Sequence, residues 1–367
     1  QRLRAAVNLT ADAVKAVSLT AMEALREGAA FIGIVGEQDE LIDPFHHLDA
    51  PIWARDPPVE LLRLAYSYCE ELTMREAGNF YHSFKYLPEE QRSAMCAVYA
   101  FCRRADDIAD GDWQDRFPGS QGEMDPEAVA YRLELESLQN KDTILQEELY
   151  LEKITQLFFF RKKLSTCYST TSSTDPVFLA LKDTVTRYNI PRSVFDDLIT
   201  GMEDDLYNNR YRTFDELYIY CYRVASVVGL MCIEIYGYDD PRAKKFAESW
   251  GIFMQLTNVL RDVGEDIQRN RVYLPLNELE ANGINEPELN GDVVLNTTWE
   301  PYIHHYAKRA RTYLEEAKQL LPLLPRRTRY SPAAMIAFYD KILKQIERQQ
   351  GDVFTKRVKL NKFQKLT

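Results

Sequence analysis

Several common signatures are missing from this 367-residue chain. The six cysteines are Cys69, Cys96, Cys102, Cys167, Cys221 and Cys232, and none forms a CxxC pair. Most stand inside apolar helical patterns, which predicts small buried thiols in a reducing cytosol rather than a disulfide framework or a zinc site. The five histidines include His46-His47 and His304-His305, and neither pair has HExxH spacing. They read as surface or core residues. No run of about eighteen apolar residues occurs, so no transmembrane helix is predicted, and residues 29–36 are too short to span. Lys plus Arg total 45 against 56 Asp plus Glu, a net charge of −11. With no basic stripe interleaved with aromatics, nucleic acid is excluded as a partner. Strand alternation and repeats of fixed period are absent. So is a GxGxxG, which argues weakly against a nicotinamide site, because not every NADPH enzyme uses a Rossmann unit.

What remains is helical. Residues 10–28 read as an amphipathic helix capped by Thr10 and stopped by Gly28. Residues 37–58 read as an irregular arm. Helical patterns follow over 60–77, from Pro88 through the first acidic cluster, and over 127–164, 177–188, 191–206, 214–236, 241–268, 299–321 and 332–350. Loops are predicted at 111–126 and 165–176, and a polar connection at 282–298. The expected architecture is all-α: an N-terminal extension over 1–58, then one multi-helix bundle over 59–367. Gln1 in place of an initiating Met is compatible with removal of a leader.

Two acidic clusters carry the chemistry. Asp106-Asp107-Ile108-Ala109-Asp110 and Asp262-Val263-Gly264-Glu265-Asp266 each repeat Asp one helical turn apart. Like charges at that spacing repel, so neither cluster helps a solvated helix. Tyr99, Arg103, Asp106 and Asp110 form one stripe, and Gln255, Asn258, Asp262 and Asp266 form another. The segment MCAVYAFC over 95–102 is apolar nearly all round, which predicts a buried helix whose carboxylates need cationic partners. Two such faces turned together would hold magnesium, which takes oxygen ligands and shares them with substrate phosphate. Arg261, Arg269 and Arg271 are nearby donors whose planar fork suits diphosphate. Asp196-Asp197, Asp204-Asp205 and Asp239-Asp240 read as decoys, Asp205 least clearly because its helix is apolar. Tyr218, Tyr220 and Tyr222 precede a run of small residues that leaves room for a long apolar chain, and aromatic faces can stabilise a carbocation.

RRADDIADG (103–111), GMEDDL (201–206), YCYRVASVVGL (220–230) and NVLRDVGEDIQRNRVYLP (258–275) resemble the squalene/phytoene synthase family. The likeness extends from about residue 61 to residue 358. It implies the all-α isoprenoid synthase fold and head-to-head condensation of two identical prenyl diphosphates. By position it implies that Asp106, Asp110, Asp262 and Asp266 hold magnesium, with manganese as a substitute and Asp107 as a weaker ligand. Asn258 joins the second metal cluster, with Gln255 beside it. Arg103, Arg261 and Arg271 would contact diphosphate, and Tyr99, Tyr220 and Tyr273 would line the reaction centre. Tyr339 and Arg357 correspond loosely to C-terminal substrate positions. Where relatives carry Ser-x-Ser-Phe, this chain has Ala77-Gly78-Asn79-Phe80.

The motif strings look most like the phytoene branch, which takes geranylgeranyl diphosphate and needs no NADPH. A farnesyl-diphosphate enzyme making squalene, presqualene diphosphate or dehydrosqualene is the alternative. A non-catalytic assembly factor is the alternative of another class, and it would be expected to lose metal ligands. The expected location is cytoplasmic, or a plastid if a leader is removed, with peripheral membrane contact through residues 10–28. Oligomeric state is not legible.

Overall fold

The computed structural model describes residues 53–54, 57, 59–113, 147–286, 289, 298–354 and 358. The helix expected over 10–28, nearly all of the 37–58 arm, residues 127–146 and Arg357 lie outside the described residues. The regular structure of the described residues is helical apart from one short pairing, β1 (Trp53–Ala54) antiparallel to β2 (Thr171–Ser172), and an isolated parallel bridge between Arg210 and Val272.

Twelve labels suffice. They are α1 (Val59–Glu76), α2 (Gly78–Phe84), α3 (Glu89–Asp110), α4 (Glu147–Leu164), α5 (Pro176–Tyr188) and α6 (Arg192–Tyr207). Then come α7 (Phe214–Cys221), α8 (Val227–Tyr236), α9 (Arg242–Gln268), α10 (Leu276–Ala281), α11 (Trp299–Lys318) and α12 (Tyr330–Arg348). A π turn, Tyr222–Ser226, joins α7 to α8 without a break. The sequence reading anticipated the long helices and missed α2 and α10, which span seven and six residues and are too short to show a period.

Local chemistry sets the ends. Glu89 and Glu90 lie in the first turn of α3, where carboxylates suit the helix dipole. Gly111 ends that helix with φ +85°, its N–H donating to the Asp107 carbonyl at 3.0 Å. Asp175 caps α5 by accepting from the Val177 N–H at 3.0 Å, with Pro176 in the first turn.

Two helices organise the packing. α9 is wrapped by α8, α11, α12 and the π turn, while α3 packs against α1, α4, α5 and α6. α6 and α8 pack on each other, and α8 touches both α3 and α9, so it joins the two halves. Gly251 makes the crossing of α9 over the π turn possible: a Cβ there would sit 2.4 Å from the Ser226 Cα and 2.5 Å from its N. Backbone atoms cannot step aside, so the two helices approach only because Gly251 has no side chain.

The continuous helix from Phe214 to Tyr236 is long and apolar enough to cross a membrane, although the sequence reading found no such run. Half of it is buried inside the bundle, where it packs on α6 and α9, so it is the core helix of this fold. Five cysteines are buried, Cys102 is half-buried, and all six are free.

Candidate active site

A cavity of about 290 Å³ lies between α3 and α9. α3 contributes Met95, Val98, Tyr99, Cys102, Arg103 and Asp106, a stripe of one helical face. At 1.5 Å per residue, that stripe runs about 16 Å from Met95 to Asp106. α9 contributes Trp250, Gly251, Met254, Gln255 and Asn258, and α12 contributes Met335 and Tyr339. On α3 and α9 alike the N-terminal part of the stripe is apolar and the C-terminal part polar, so both helices deliver carboxylates to the same mouth.

Those carboxylates sit in the last turns of their helices, where the dipole already carries partial negative charge. Acidic residues placed there are held by cations or not at all. Arg271 approaches Asp110 at 3.5 Å and Arg269 approaches it at 3.9 Å, bridging the end of α9 to the end of α3. Burial, then the neighbouring Asp110, pushes the Asp106 carboxyl up to about 6. Burial, then Asp262, pushes Asp266 up to about 7. Asp110 thus disfavours the ionisation of Asp106, and Asp262 that of Asp266, as like charges one helical turn apart do.

A third helix end joins them. Asp204 and Asp205 lie in the last turn of α6, and Asp205, the least clear of the decoys in the sequence, stands close enough to Asp106 and Asp266 to push both carboxyls up. Arg223, turned inward by the π turn, donates to Asp204 at 2.6 Å. Half-buried Asp205 accepts from the Tyr220 hydroxyl at 2.9 Å and the Tyr273 hydroxyl at 2.8 Å. Burial pushes its carboxyl up to about 6 against the pull of Arg271 and the two phenols. Tyr220 and Tyr273 stack at 5.2 Å, and Tyr211 stacks on Tyr273 at 5.9 Å. Tyr220 and Tyr273 therefore hold Asp205; neither is part of the cavity wall. The GMEDDL string carried this signal, but spacing alone could not separate it from a solvated doublet. The other doublets behave as decoys: Asp196 pairs with Arg161 and Arg192, and Asp240 pairs with Arg242.

The remaining candidates lie near the same mouth. Arg103 reaches Asp107 at 2.5 Å and Asp106 at 3.7 Å, so Asp107 here partners an arginine. Arg261 donates to Asp262 at 2.8 Å and also meets Tyr339. The Asn258 amide N–H donates to the Gln255 carbonyl at 3.3 Å.

Among the described residues, no three Asp, Glu, His or Cys side chains converge closely enough to enclose an ion by themselves. The donors nevertheless fit magnesium. They are oxygen atoms only, and the buried Asn258 Oδ1 has no hydrogen-bond partner. Across the cavity, the buried Arg103 Nε lacks an acceptor. An orphan acceptor and an orphan donor on residues lining one cavity suit a cation and an anion, with water and phosphate able to complete the coordination.

Carboxylate-bearing helix ends around the mouth of an aromatic, otherwise apolar cavity define a class: an all-α enzyme for a long apolar substrate with an anionic head. Known proteins agree. A sequence model of the squalene/phytoene synthase family matches residues 73–364. Phytoene synthase 2, chloroplastic, of Oryza sativa subsp. japonica is 34% identical over 346 residues, covering 91% of this chain and 77% of the relative. The 15-cis-phytoene synthase of Synechococcus elongatus is 34% identical, covering 82% of this chain and 90% of its own. Among solved structures, a dehydrosqualene synthase in complex with a ligand superposes with a TM-score of 0.67 at 26% identity, covering 83% of this chain and 94% of that one. A squalene synthase from Alicyclobacillus acidocaldarius shares the fold with a TM-score of 0.63 at 24% identity, covering 80% of this chain and 96% of that one.

The chain belongs to the squalene/phytoene synthase family. Its fold is the all-α isoprenoid synthase fold, and its reaction class is prenyl transfer.

The Asp205 clamp is open to a direct test. Replacing Tyr220 and Tyr273 together with Phe keeps both rings and removes both donors to Asp205. If Asp205 serves a metal ion, turnover is expected to fall about 10–100-fold, the usual consequence of losing partners that orient such a carboxylate. Steady-state kinetics over a magnesium titration would show it as a raised metal requirement, whereas a purely structural role would leave that requirement unchanged.

Proposed function

We propose that this protein is a phytoene synthase that condenses two molecules of geranylgeranyl diphosphate head to head and releases two diphosphates. The observation that carries the reading is that Asn258 Oδ1 and Arg103 Nε, each buried without a partner, belong to residues that line one largely apolar cavity together with Asp106. The sequence relatives named phytoene synthase support the product.

Asp106, Asp110, Asp262, Asp266 and Asn258 would hold magnesium, with Asp205 close to that set. When bound, the ions neutralise charge on the departing diphosphate. Arg103, Arg261 and Arg271 orient the diphosphates and keep their negative charge at the mouth. Breaking the C1–O bond of one substrate sends the electron pair to the leaving diphosphate and leaves an allylic cation. The double bond of the second substrate attacks that cation, and loss of a proton closes a cyclopropyl ring still bearing the other diphosphate. The second diphosphate leaves, the ring rearranges, and loss of another proton gives the neutral hydrocarbon. The walls keep water from these cations, and aromatic faces such as those of Tyr99 and Phe80, whose rings lie 6.1 Å apart, stabilise positive charge.

The farnesyl alternative keeps a specific footing, because the solved structures include a dehydrosqualene synthase. Both readings are separated by incubating the protein with magnesium and either prenyl diphosphate, with and without NADPH, and reading the extract by mass spectrometry. A forty-carbon hydrocarbon from the twenty-carbon substrate, indifferent to NADPH, is the expected result. A thirty-carbon product formed in preference overturns the substrate assignment.

A further inference from the structure

One cation at the mouth has no part in the site described so far. Lys153 belongs to α4, and its ammonium donates to the Ala109 carbonyl at 2.8 Å, in the last turn of α3. Gly111 makes room for it: a Cβ there would sit 2.8 Å from Lys153 Cε and 3.2 Å from its Nζ. The same part of α4 reaches the end of α6. Burial and Asp204 raise the Tyr207 phenol first, and Tyr150, close before Lys153 in α4, adds to the effect. The start of α4 therefore stands where α3 and α6 both end on carboxylates.

The charges around this ammonium are those of the mouth. Burial lowers its pKa, Asp110 is the strongest charge opposing that, Arg271 adds to the lowering, and Asp112 opposes it. Arg271 and Arg269 approach the Asp110 carboxylate at 3.5 and 3.9 Å. Three cations thus stand around Asp110. Two come from the end of α9 and the turn after it, and the third comes from α4.

Lysines often cap helix C-termini, and the Ala109 contact alone would be such a cap. Two features go beyond it. The end of α3 is already closed, because the Gly111 N–H donates to the Asp107 and Ile108 carbonyls and the Asp112 and Trp113 N–H groups donate to Asp107. An ammonium also carries three donors, and among the described residues one of them is used. A half-buried ammonium with donors in hand, beside two arginines that share its neighbouring carboxylate, suits a further anion. Asp110 cannot serve magnesium and three cations at once. With Asp110 committed to magnesium, those cations need another acceptor.

We propose that Lys153 is a further diphosphate-binding residue, which turns from the end of α3 to the phosphate oxygens when Asp110 is committed to magnesium. This rests on the function proposed above. The ammonium adds a point charge from α4 to the planar donors of Arg271, so the diphosphate is held by α4 as well as by the end of α9. The prenyl chain takes no part in this contact, so inorganic diphosphate suffices as a probe.

The test is calorimetry of the full chain with magnesium and inorganic diphosphate. Lys153→Met keeps an unbranched stem over Gly111 and removes the charge. It is expected to weaken diphosphate binding about tenfold, whereas Lys153→Arg stays within about threefold of wild type. With prenyl diphosphate, Lys153→Met is expected to raise KM about tenfold and to change kcat much less. A lysine that only caps α3 would lower the melting temperature of K153M and leave diphosphate binding untouched. A second measurement needs no variant. Acetylation of wild type by acetic anhydride, read by mass spectrometry, is expected to fall several-fold at Lys153 on adding magnesium with diphosphate, and to stay unchanged at exposed Lys308 of α11. Wild-type-level diphosphate binding by K153M overturns the proposal. So does unprotected acetylation of Lys153, or equal loss in K153M and K153R. The product assay reads substrate choice and calorimetry reads Lys153, so failure of one is distinct from failure of the other.

Discussion

Asp262→Asn and Asp106→Asn are each expected to lower turnover by about 1,000-fold or more, equivalent to roughly 4 kcal/mol of transition-state stabilisation. Asn keeps the shape and one oxygen of each side chain and removes its charge, so the loss reports on cation binding rather than packing. The fold of Asp106→Asn should not suffer, whereas Asp262→Asn also removes the carboxylate that pairs with Arg261. Asp106 and Asp266 are pushed up to about 6 and 7 by burial and by their acidic neighbours, so at neutral pH their ionised forms oppose folding. Removing the Asp106 charge relieves that repulsion, and the metal-free melting temperature of Asp106→Asn is expected to hold or rise. Magnesium with diphosphate should raise the wild-type melting temperature by mass action and leave the variants unmoved. A non-catalytic assembly factor would show none of this. Retained turnover in both variants, or an unchanged response to magnesium, would sink the assignment of these carboxylates.

Asp175→Ala is expected to destabilise the protein by about 3–5 kcal/mol, a large share of a typical domain's stability. Asp175 lies far from the cavity in role but holds three things at once. Its two oxygens each accept from Arg104 at 2.7 Å, it pairs with Lys163 at 2.7 Å, and it caps α5. Arg104 is 2% exposed, with its guanidinium 4.5 Å from the Trp113 ring centre. Alanine at position 175 leaves that buried cation without its carboxylate, which costs far more than a surface pair. The pH dependence follows from the same contact. Burial alone would raise the Asp175 carboxyl, but the Arg104 and Lys163 charges outweigh it and hold the carboxyl well below its ordinary range. A depressed carboxyl contributes stability that is complete above its unfolded value, near pH 4, and is lost as pH falls below it. Urea unfolding across that acid range should show a steep loss for wild type and a shallower one for Asp175→Ala. Parallel curves would show that the pair does not couple to folding.

The two predictions differ in how visible their residues are in the sequence. Asp106, Asp110, Asp262 and Asp266 announce themselves, because carboxylates repeated at one helical turn inside apolar surroundings have no local reason to exist. Asp175 looks like an ordinary helix cap, and only the packing of α3 against α5 brings Arg104 to it. Asp205 falls between the two. Its doublet looks like those at 196–197 and 239–240, and the apolar helix around it sets it apart without saying what it meets. What separates them is that Tyr220 and Tyr273, fifteen and sixty-eight residues away, converge on one of them.

The sequence by itself determined the helical class, the long helices and the two acidic faces, because these depend on periodicity and on the repulsion of neighbours one turn apart. It also carried the family likeness in strings long enough to be specific. Tertiary structure decided the third carboxylate helix end, the service of Tyr220 and Tyr273 to Asp205 rather than to the cavity wall, and the approach of Lys153 to the end of α3. Each of these depends on contacts between segments far apart in the chain. A residue's neighbours along a helix are set by its spacing, but its neighbours across the bundle are set by how the helices pack.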